Sequence, residues 1–377
     1  MPAPKFTLPE FAGSLADLGT IVPFVLAAVI TTHMELGPIL LAFGLFYIVS
    51  GLIYRLPVAA EPLKVVGAIS VTGIGLTQGE IIGAGLFVGL FFLLLGLTGL
   101  IKYVEKYFPV SLIRGVQLGL AFLLLVKGGQ YITGDWRIGL LAVAIYLVIL
   151  LADRKKGNVG FLGALAILGL GLGYGIYRSG MPPIQPGIPL DFYLPGVNEL
   201  ISGAYKAGIA QVPLTLTNAV LATSLLASDL FKEKISNKKL SLTIGAANVI
   251  ATPLGGFPMC HGAGGMAAHY RFGARTGGAN IMIGVLFVAL SFIATSAMLI
   301  LIPFGILGTL LFFAGFELLK SAARTDHLII TGAMGLVTLL IDPTIGLAAG
   351  ILLYLAYKVL TRNKGKNVSP PDSSDDV

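Results

Sequence analysis

Between two long apolar runs the chain reads PMCHGAGGMAAHYRFGARTGG, residues 258–278. His261, His269, the single cysteine Cys260, Arg271 and Arg275 share this stretch with six glycines. Such backbone is costly against lipid and tolerable where it lines a cavity inside a membrane protein. A helix beginning here would offer free N–H groups and about half a positive charge, which suits an anion. Close helix packing is the competing explanation, because Ala263 with Ala267 and Gly264 with Ala268 have the small-xxx-small spacing. The first turn, His261, Gly262, Ala263 and Gly264, is read as facing a ligand and the later turns as packing. Cys260 beside His261 is too little for a metal site, so His261 is read as a neutral donor or proton carrier. Arg271 and Arg275 fall toward the far end and are assigned to topology and lipid phosphate rather than substrate.

Three other places carry polar chemistry in apolar surroundings. Glu61 and Lys64 are three apart, on one face of a helix if that segment is helical. A mutual ion pair and a role in binding or proton coupling both remain open, since ionisable groups within a membrane are functional by default. Pro62 between them suits the first turn of a helix. Asp17 interrupts the first apolar run and is followed by Gly19 and Thr20; it either caps a broken helix or lines a pathway. Gln211, Thr215 and Asn218 fall at i, i+4 and i+7 and share a face. They are read as neutral donors toward a bound oxyanion, ahead of simple interhelical hydrogen bonding.

These residues must be held by membrane helices. Of the 377 residues 56% are hydrophobic and 11% charged, with mean hydropathy +0.90, against about 25% charged in a soluble domain. One cysteine excludes an intrachain disulfide, and the first 35 residues, interrupted by Asp17, do not read as a cleaved signal. No G-x-x-x-x-G-K-[ST] run occurs, which argues against ATP hydrolysis and against an enzyme. Apolar runs and breakers divide the chain into about fourteen elements: 13–33, 38–54, 58–75, 80–101, 109–128, 137–152, 158–178, 200–228, 239–254, 258–270, 278–302, 304–320, 326–341 and 343–360. With that division all basic residues except Lys64, Arg114, Lys127, Arg137, Arg178 and Lys206 fall on one side. The positive-inside rule then puts both termini in the cytoplasm.

The elements form two halves of seven, 1–180 and 200–360, joined by a Pro/Gly-rich external loop at 181–199 and followed by a disordered tail, 361–377. GSLADLGTIVPFVL (13–26) matches GAYKAGIAQVPLTL (203–216) at Gly13/Gly203, Val22/Val212, Pro23/Pro213 and Leu26/Leu216. Seven helices per half would make the halves inverted repeats, as in many secondary transporters. The third and tenth elements, PVAAEPLKVVG (57–67) and PMCHGAGGMAA (258–268), both follow a loop ending in proline and are too short to span. Such paired broken segments mark a transporter's binding site; their N-termini are expected to meet at the midplane.

The run CHGAGGMAAHYRFGARTGG (260–278) resembles the signature of the molybdate transporters related to sulfate permeases. EPLK at 61–64, DLGT at 17–20 and QVPLTLTNAV at 211–220 resemble that family too, and the likeness extends from about Gly13 to Tyr357. It implies an all-α polytopic fold of seven plus seven inverted helices, divided into core and gate subdomains. It implies a site for a tetrahedral dianion between the third and tenth elements. Glu61, Lys64, His261, Gly262, Ala263 and Gly264 would lie at or beside the site, with Asp17, Thr20, Gln211 and Asn218 nearby. Glu61 and His269 stand where the family usually has glutamine. A carboxylate beside a dianion repels it unless protonated or paired with Lys64, which hints at proton coupling. No regulatory domain of the kind larger sulfate permeases carry is expected.

The function expected is secondary transport of molybdate, with tungstate or sulfate as near rivals, in the cell membrane. An anion channel and a nucleobase- or bicarbonate-type permease are the alternatives. Expected partners are the oxyanion, membrane lipid, a coupling proton and a second copy in a homodimer. No cofactor, metal or nucleic acid is expected.

Overall fold

Long apolar runs can satisfy their backbone in a bilayer only as helices or closed barrels, and this chain is helical. The computed structural model describes residues 2–72, 75–104, 109–153, 160–182, 184, 186–295, 298 and 301–364. Its helices of seven residues or more are α1 (Leu8–Thr32), α2 (Leu36–Tyr54), α3 (Lys64–Ser70), α4 (Gln78–Thr98), α5 (Val110–Gly134), α6 (Trp136–Asp153), α7 (Gly160–Ser179), α8 (Val197–Phe231), α9 (Asn237–Ala251), α10 (Ala263–Arg271), α11 (Gly278–Ser291), α12 (Phe304–Ala322), α13 (Leu328–Leu340) and α14 (Pro343–Lys364). Seven of these, α1, α2, α4, α5, α8, α12 and α14, are long and apolar enough to cross a membrane. Exposed Leu45, Leu52, Leu94 and Leu97 show the outward face expected of lipid-facing helices. This is a multi-pass membrane protein.

Two short strands correct the all-α expectation. β1 (Ala59–Pro62) pairs antiparallel with β2 (Met259–Gly262), in the register Ala59–Gly262, Ala60–His261, Glu61–Cys260 and Pro62–Met259. The broken segments lack helical hydrogen bonds and are buried throughout, so each supplies the other's backbone partners. The Leu63 N–H extends the ladder to the Pro258 carbonyl at 2.9 Å. Pro62 therefore ends β1 and does not occupy the first turn of α3, which starts at Lys64. α3 follows β1 and α10 follows β2, so each half-helix begins at an end of the strand pair. At the other end of the chain, α14 runs through Lys364, so the expected disordered tail loses its first residues. The rest of that tail lies outside the described residues, as do Lys106, Arg154, Lys155, Lys156 and Lys366.

The helices pack in two groups. In one, α2 lies along α11, α4 along α8 and α9, and α1 against α3. In the other, α5 packs on α12, α13 and α14, and α6 on α7 and α12. α1 and α8 border both groups through α7, α12, α5 and α14. Close crossings explain two glycine pairs. A Cβ on Gly44 would lie 2.8 Å from the Gly284 carbonyl, and one on Gly284 would lie 2.6 Å from the Gly44 carbonyl. Gly128 and Gly308 stand in the same mutual relation, each 2.7 Å from the other's carbonyl, where α5 crosses α12.

Local signals set several ends. Thr77 and Glu80 form a capping box at α4, with Glu80 N–H to Thr77 Oγ1 at 3.2 Å and Thr77 N–H to Glu80 Oε2 at 3.0 Å. The linker before α8 is tied down: the Gly187, Asp191 and Tyr193 N–H groups donate to the Phe292, Leu254 and Pro253 carbonyls, and Gln78 Nε2 donates to Asp191 Oδ2 at 2.7 Å. α8 itself is irregular. Pro213 lies within it, and two π-type stretches, Ala204–Gly208 and Thr215–Ala222, widen it, as helices often do at functional sites.

Candidate functional site

Side chains alternate across a strand pair, so β1 and β2 have two distinct faces. Ala59, Glu61, Cys260 and Gly262 share one; Ala60, Pro62, Met259 and His261 share the other. The first face looks toward α1 and α8, the helices that border both packing groups.

Glu61 organises that face. It is 1% exposed; its Oε2 takes Lys64 Nζ at 2.6 Å and its Oε1 takes the Gly265 N–H at 2.9 Å. The carboxylate thus serves as an acidic cap inside the first turn of α10, where the helix dipole and unpaired N–H groups favour negative charge. The ion pair and the anion-binding helix start, which the sequence left as separate readings, are one structure. Gly262 is required because a Cβ there would overlap the Glu61 carboxylate. Gly265 is required because its Cβ would fall 2.5 Å from Ala59 Cβ and 2.6 Å from Asp17 Oδ1.

Asp17 comes from the 3₁₀ turn Leu15–Asp17 within α1 and is fully buried. Its Oδ2 accepts from Tyr47 of α2 at 2.8 Å, and the same hydroxyl reaches the Ala60 carbonyl at 3.1 Å. Asp17 Oδ1 makes no hydrogen bond among the described residues. The Thr20 hydroxyl lies beside this carboxylate. Gln211 binds elsewhere: its Oε1 accepts the Val65 N–H at 2.8 Å, capping α3, and its Nε2 donates to Thr215 Oγ1 at 2.9 Å. Each amide atom thus makes one bond to the scaffold, which leaves one Nε2 hydrogen. Asn218 sits half-buried in the π-type stretch of α8, which breaks the i, i+4, i+7 face expected for a regular helix.

His261 stands on the opposite face and does not join this group. Its Nδ1 reaches the Ala59 carbonyl at 3.2 Å and its Nε2 meets Thr243 Oγ1 at 2.9 Å and Tyr54 OH at 3.4 Å. A carbonyl can only accept, so Nδ1 carries the proton and Nε2 accepts from the hydroxyls. Phe46 stacks on the ring at 4.8 Å and Tyr54 meets it edge-on at 5.3 Å. His269 is likewise buried, with Nδ1 on the Pro57 carbonyl at 3.1 Å. Arg271 is exposed at the far end of α10. Arg275 lies 3.8 Å over the Tyr270 ring and donates to the Tyr270 and Ala274 carbonyls, while Glu10 accepts from the N–H groups of Arg275 and Thr276. Neither arginine is paired with Glu61 or Asp17 among the described residues.

Part of the surroundings of Glu61 is accessible. Gly264 is exposed and Ala263 half-buried at the start of α10, and the Lys64 side chain is 18% exposed. A Cβ on Gly264 would meet nothing nearer than Glu61 Oε1 at 3.9 Å. Thr20 and Asn218 are also half-buried on the two bordering helices. Lys64, the start of α10, Thr20 and Asn218 are thus each partly accessible. No group of three or more His, Cys, Asp or Glu among the described residues could hold a metal.

Two amides that frame the broken segments were not singled out from sequence. Asn248 of α9 binds both backbone groups of Met259, donating to its carbonyl at 2.7 Å and accepting its N–H at 2.8 Å, as a third strand would. Asn280 of α11 donates to Ser50 Oγ at 2.9 Å and to the Val58 carbonyl at 2.6 Å. A lone asparagine in an apolar helix was the available signal. Tyr47 and Tyr54, one heptad apart on α2, gave a weaker one.

Comparison with known proteins agrees with this picture. The family model described as "Molybdate transporter of MFS superfamily" matches residues 9–124 and again 203–318. Molybdate transporter 2 of Arabidopsis thaliana is 30% identical over 93% of this chain and 88% of its own length. Molybdate transporter 1 of the same plant is 29% identical over 97% and 92%. Among solved structures, the transmembrane domain of the cyanobacterial bicarbonate transporter BicA superposes with TM-score 0.63 at 18% identity, covering 91% of this chain and 97% of that one. The murine solute carrier 26 family member A9 anion transporter, inward-facing, gives TM-score 0.71 at 13% identity over 96% of this chain and 70% of that one. The fold is therefore that of the sulfate-permease-like anion transporters. Together with the sequence matches over both halves, it establishes that the chain belongs to the molybdate transporter family.

Proposed function

We propose that this protein is a secondary transporter of a tetrahedral oxyanion, molybdate first and tungstate or sulfate next, working by alternating access. The observation that carries the reading is the convergence of Lys64 and the first turn of α10 on the Glu61 carboxylate. A dianion there would take the N–H groups of Ala263 and Gly264, which have no acceptor within the helix, together with the Lys64 ammonium. Thr20 and Asn218 would add neutral donors. Gln211 and Gly262 act as positioning residues, and His261 supports β2 from behind.

The two packing groups are assigned as core (α1–α4 and α8–α11) and gate (α5–α7 and α12–α14), with the site on the core facing the gate. One family model matching two stretches of equal length supports a repeat; with seven elements in each half of the chain, the halves would run in opposite directions and the site would fall near the midplane. The basic-residue distribution supports a cell-membrane protein with both termini cytoplasmic.

Glu61 and Asp17 set the coupling. A dianion entering beside two carboxylates is repelled, and Lys64 is held by Glu61. A proton on Glu61 removes one charge and frees Lys64 and the Gly265 N–H for the substrate. An inward proton gradient is expected to drive uptake in the native protein and not in Glu61→Gln. Thermal melting of the purified protein with molybdate, tungstate, sulfate, phosphate, bicarbonate or a nucleobase tests the substrate class. Stabilisation by molybdate and tungstate is expected. Stabilisation by bicarbonate or the nucleobase alone would transfer the chain to the rival permease class.

A further inference from the structure

The outer surface of the core group has a gap that the site does not use. α2 packs along α11 and α9 along α4, so α2 and α9 touch each other little. Between them lies an apolar groove of about 370 Å³, at the lower end of the roughly 300–1,000 Å³ typical of small-ligand sites. One stripe of α2, including Leu45, Val49 and Ile53, forms one wall. The opposite wall on α9 is largely small residues, Ala246 among them, ending at Ile250. Small residues usually let helices close up. Here Phe46 and Tyr54 rest on the His261 ring behind them, and that layer holds α2 away.

The groove is lined by apolar side chains along its length but has a basic mouth. Lys239 lies at that end, with its ammonium on the Ile53 carbonyl at 3.2 Å and 5.5 Å from the Tyr54 ring. Arg55 and Lys238 are exposed beside it. The N-terminus of α9, starting at Asn237, adds its dipole to the same corner. Leu45, Val49 and Ile250 are exposed, so the groove opens sideways, where helices of this protein meet acyl chains.

We infer that this groove binds one acyl chain of an anionic phospholipid, with the headgroup phosphate on Lys239, Arg55 and Lys238. An acyl chain matches the apolar walls and their direction, and the three cations with the helix start complement a phosphodiester carrying net negative charge. A zwitterionic lipid would fill the groove with less preference. The occupant would lie one side-chain layer from β2, because Met259 and Thr243 form part of the floor and Thr243 holds His261.

The chain's single tryptophan, Trp136, allows a direct test. Full-length Trp136→Phe/Leu45→Trp protein is placed in phosphatidylcholine nanodiscs in which a minor fraction of the lipid is brominated phosphatidylglycerol or brominated phosphatidylcholine. Each Lys or Arg near a headgroup adds about 1 kcal/mol of attraction, or about five-fold in occupancy, so quenching by the anionic lipid is expected to be about five-fold greater or more. Lys239→Gln is expected to erase that preference, and Ala246→Phe, which fills the groove, to lower quenching by both lipids. Equal quenching by both lipids, or a preference unchanged in Lys239→Gln, overturns the proposal. Weak quenching by both in the unfilled protein also overturns it, since a protein surface such as a second copy would then cover the groove.

Discussion

Removing Lys64 separates its role in stability from its role in binding. Its ammonium lies 2.6 Å from Glu61 Oε2, with the lysine side chain 18% exposed and the glutamate side chain 1% exposed. At an effective dielectric of about 20, two unit charges at that distance attract by about 6 kcal/mol, offset by the desolvation both have undergone. Lys64→Met leaves the buried Glu61 carboxylate with only the Gly265 N–H as partner. Breaking a buried pair from one side costs about 3–5 kcal/mol, and partial exposure of Lys64 places this case near the lower end. Adding Glu61→Gln removes the stranded charge, so most of that loss returns in the double variant. Oxyanion binding does not return, because the cation is still missing. The assays are thermal unfolding in detergent and equilibrium molybdate binding followed by mass spectrometry. A Lys64→Met protein that melts like the native one refutes the buried pair. A double variant that binds molybdate with native affinity refutes Lys64 as a ligand.

Further outcomes follow from the same geometry. Gly264→Ala places a methyl group in open space, so it should leave the melting temperature unchanged and weaken oxyanion affinity; unchanged affinity would move the site away from the first turn of α10. Gly262→Ala drives the Glu61 carboxylate off its position and should lower both stability and binding, read by the same two assays. Asn248→Ala leaves the Met259 N–H and carbonyl without their side-chain partner, at about 1–3 kcal/mol for each buried group stranded. It should therefore melt well below Thr133→Ala, whose hydroxyl is exposed. His261→Gln should lower stability while leaving the KM for uptake unchanged in the protein that folds; a large KM change would put His261 back at the substrate.

The membrane class and the broken third and tenth elements could be read from the chain, because apolar runs and Gly/Pro interruptions are local in sequence. The glutamate–lysine pair was visible from its spacing alone. That Glu61 also caps α10 was not, since the contact spans more than two hundred residues and depends on strand register. The strands themselves were hidden: four-residue segments such as AAEP and MCHG have no alternating apolar pattern, and they pair only because neither can make helical hydrogen bonds where it lies. The register also decided His261. A polar residue in a glycine-rich run looked ligand-facing, yet period-two alternation turned it to the Phe46 and Tyr54 side. Gln211 was placed in the right neighbourhood, but with its amide spent on Val65 and Thr215. Asn218 sits in the π-type widening of α8, which no residue-type signal announces.

Uptake into proteoliposomes tests the transport assignment most directly. Purified protein is reconstituted, an inward proton gradient is imposed, and internal molybdate is measured by mass spectrometry with tungstate, sulfate or bicarbonate as competitor. Accumulation above the external concentration, competed by tungstate and lost in Lys64→Met, is the expected result. Absence of molybdate accumulation, or unitary currents without concentrative uptake, would contradict a secondary oxyanion transporter.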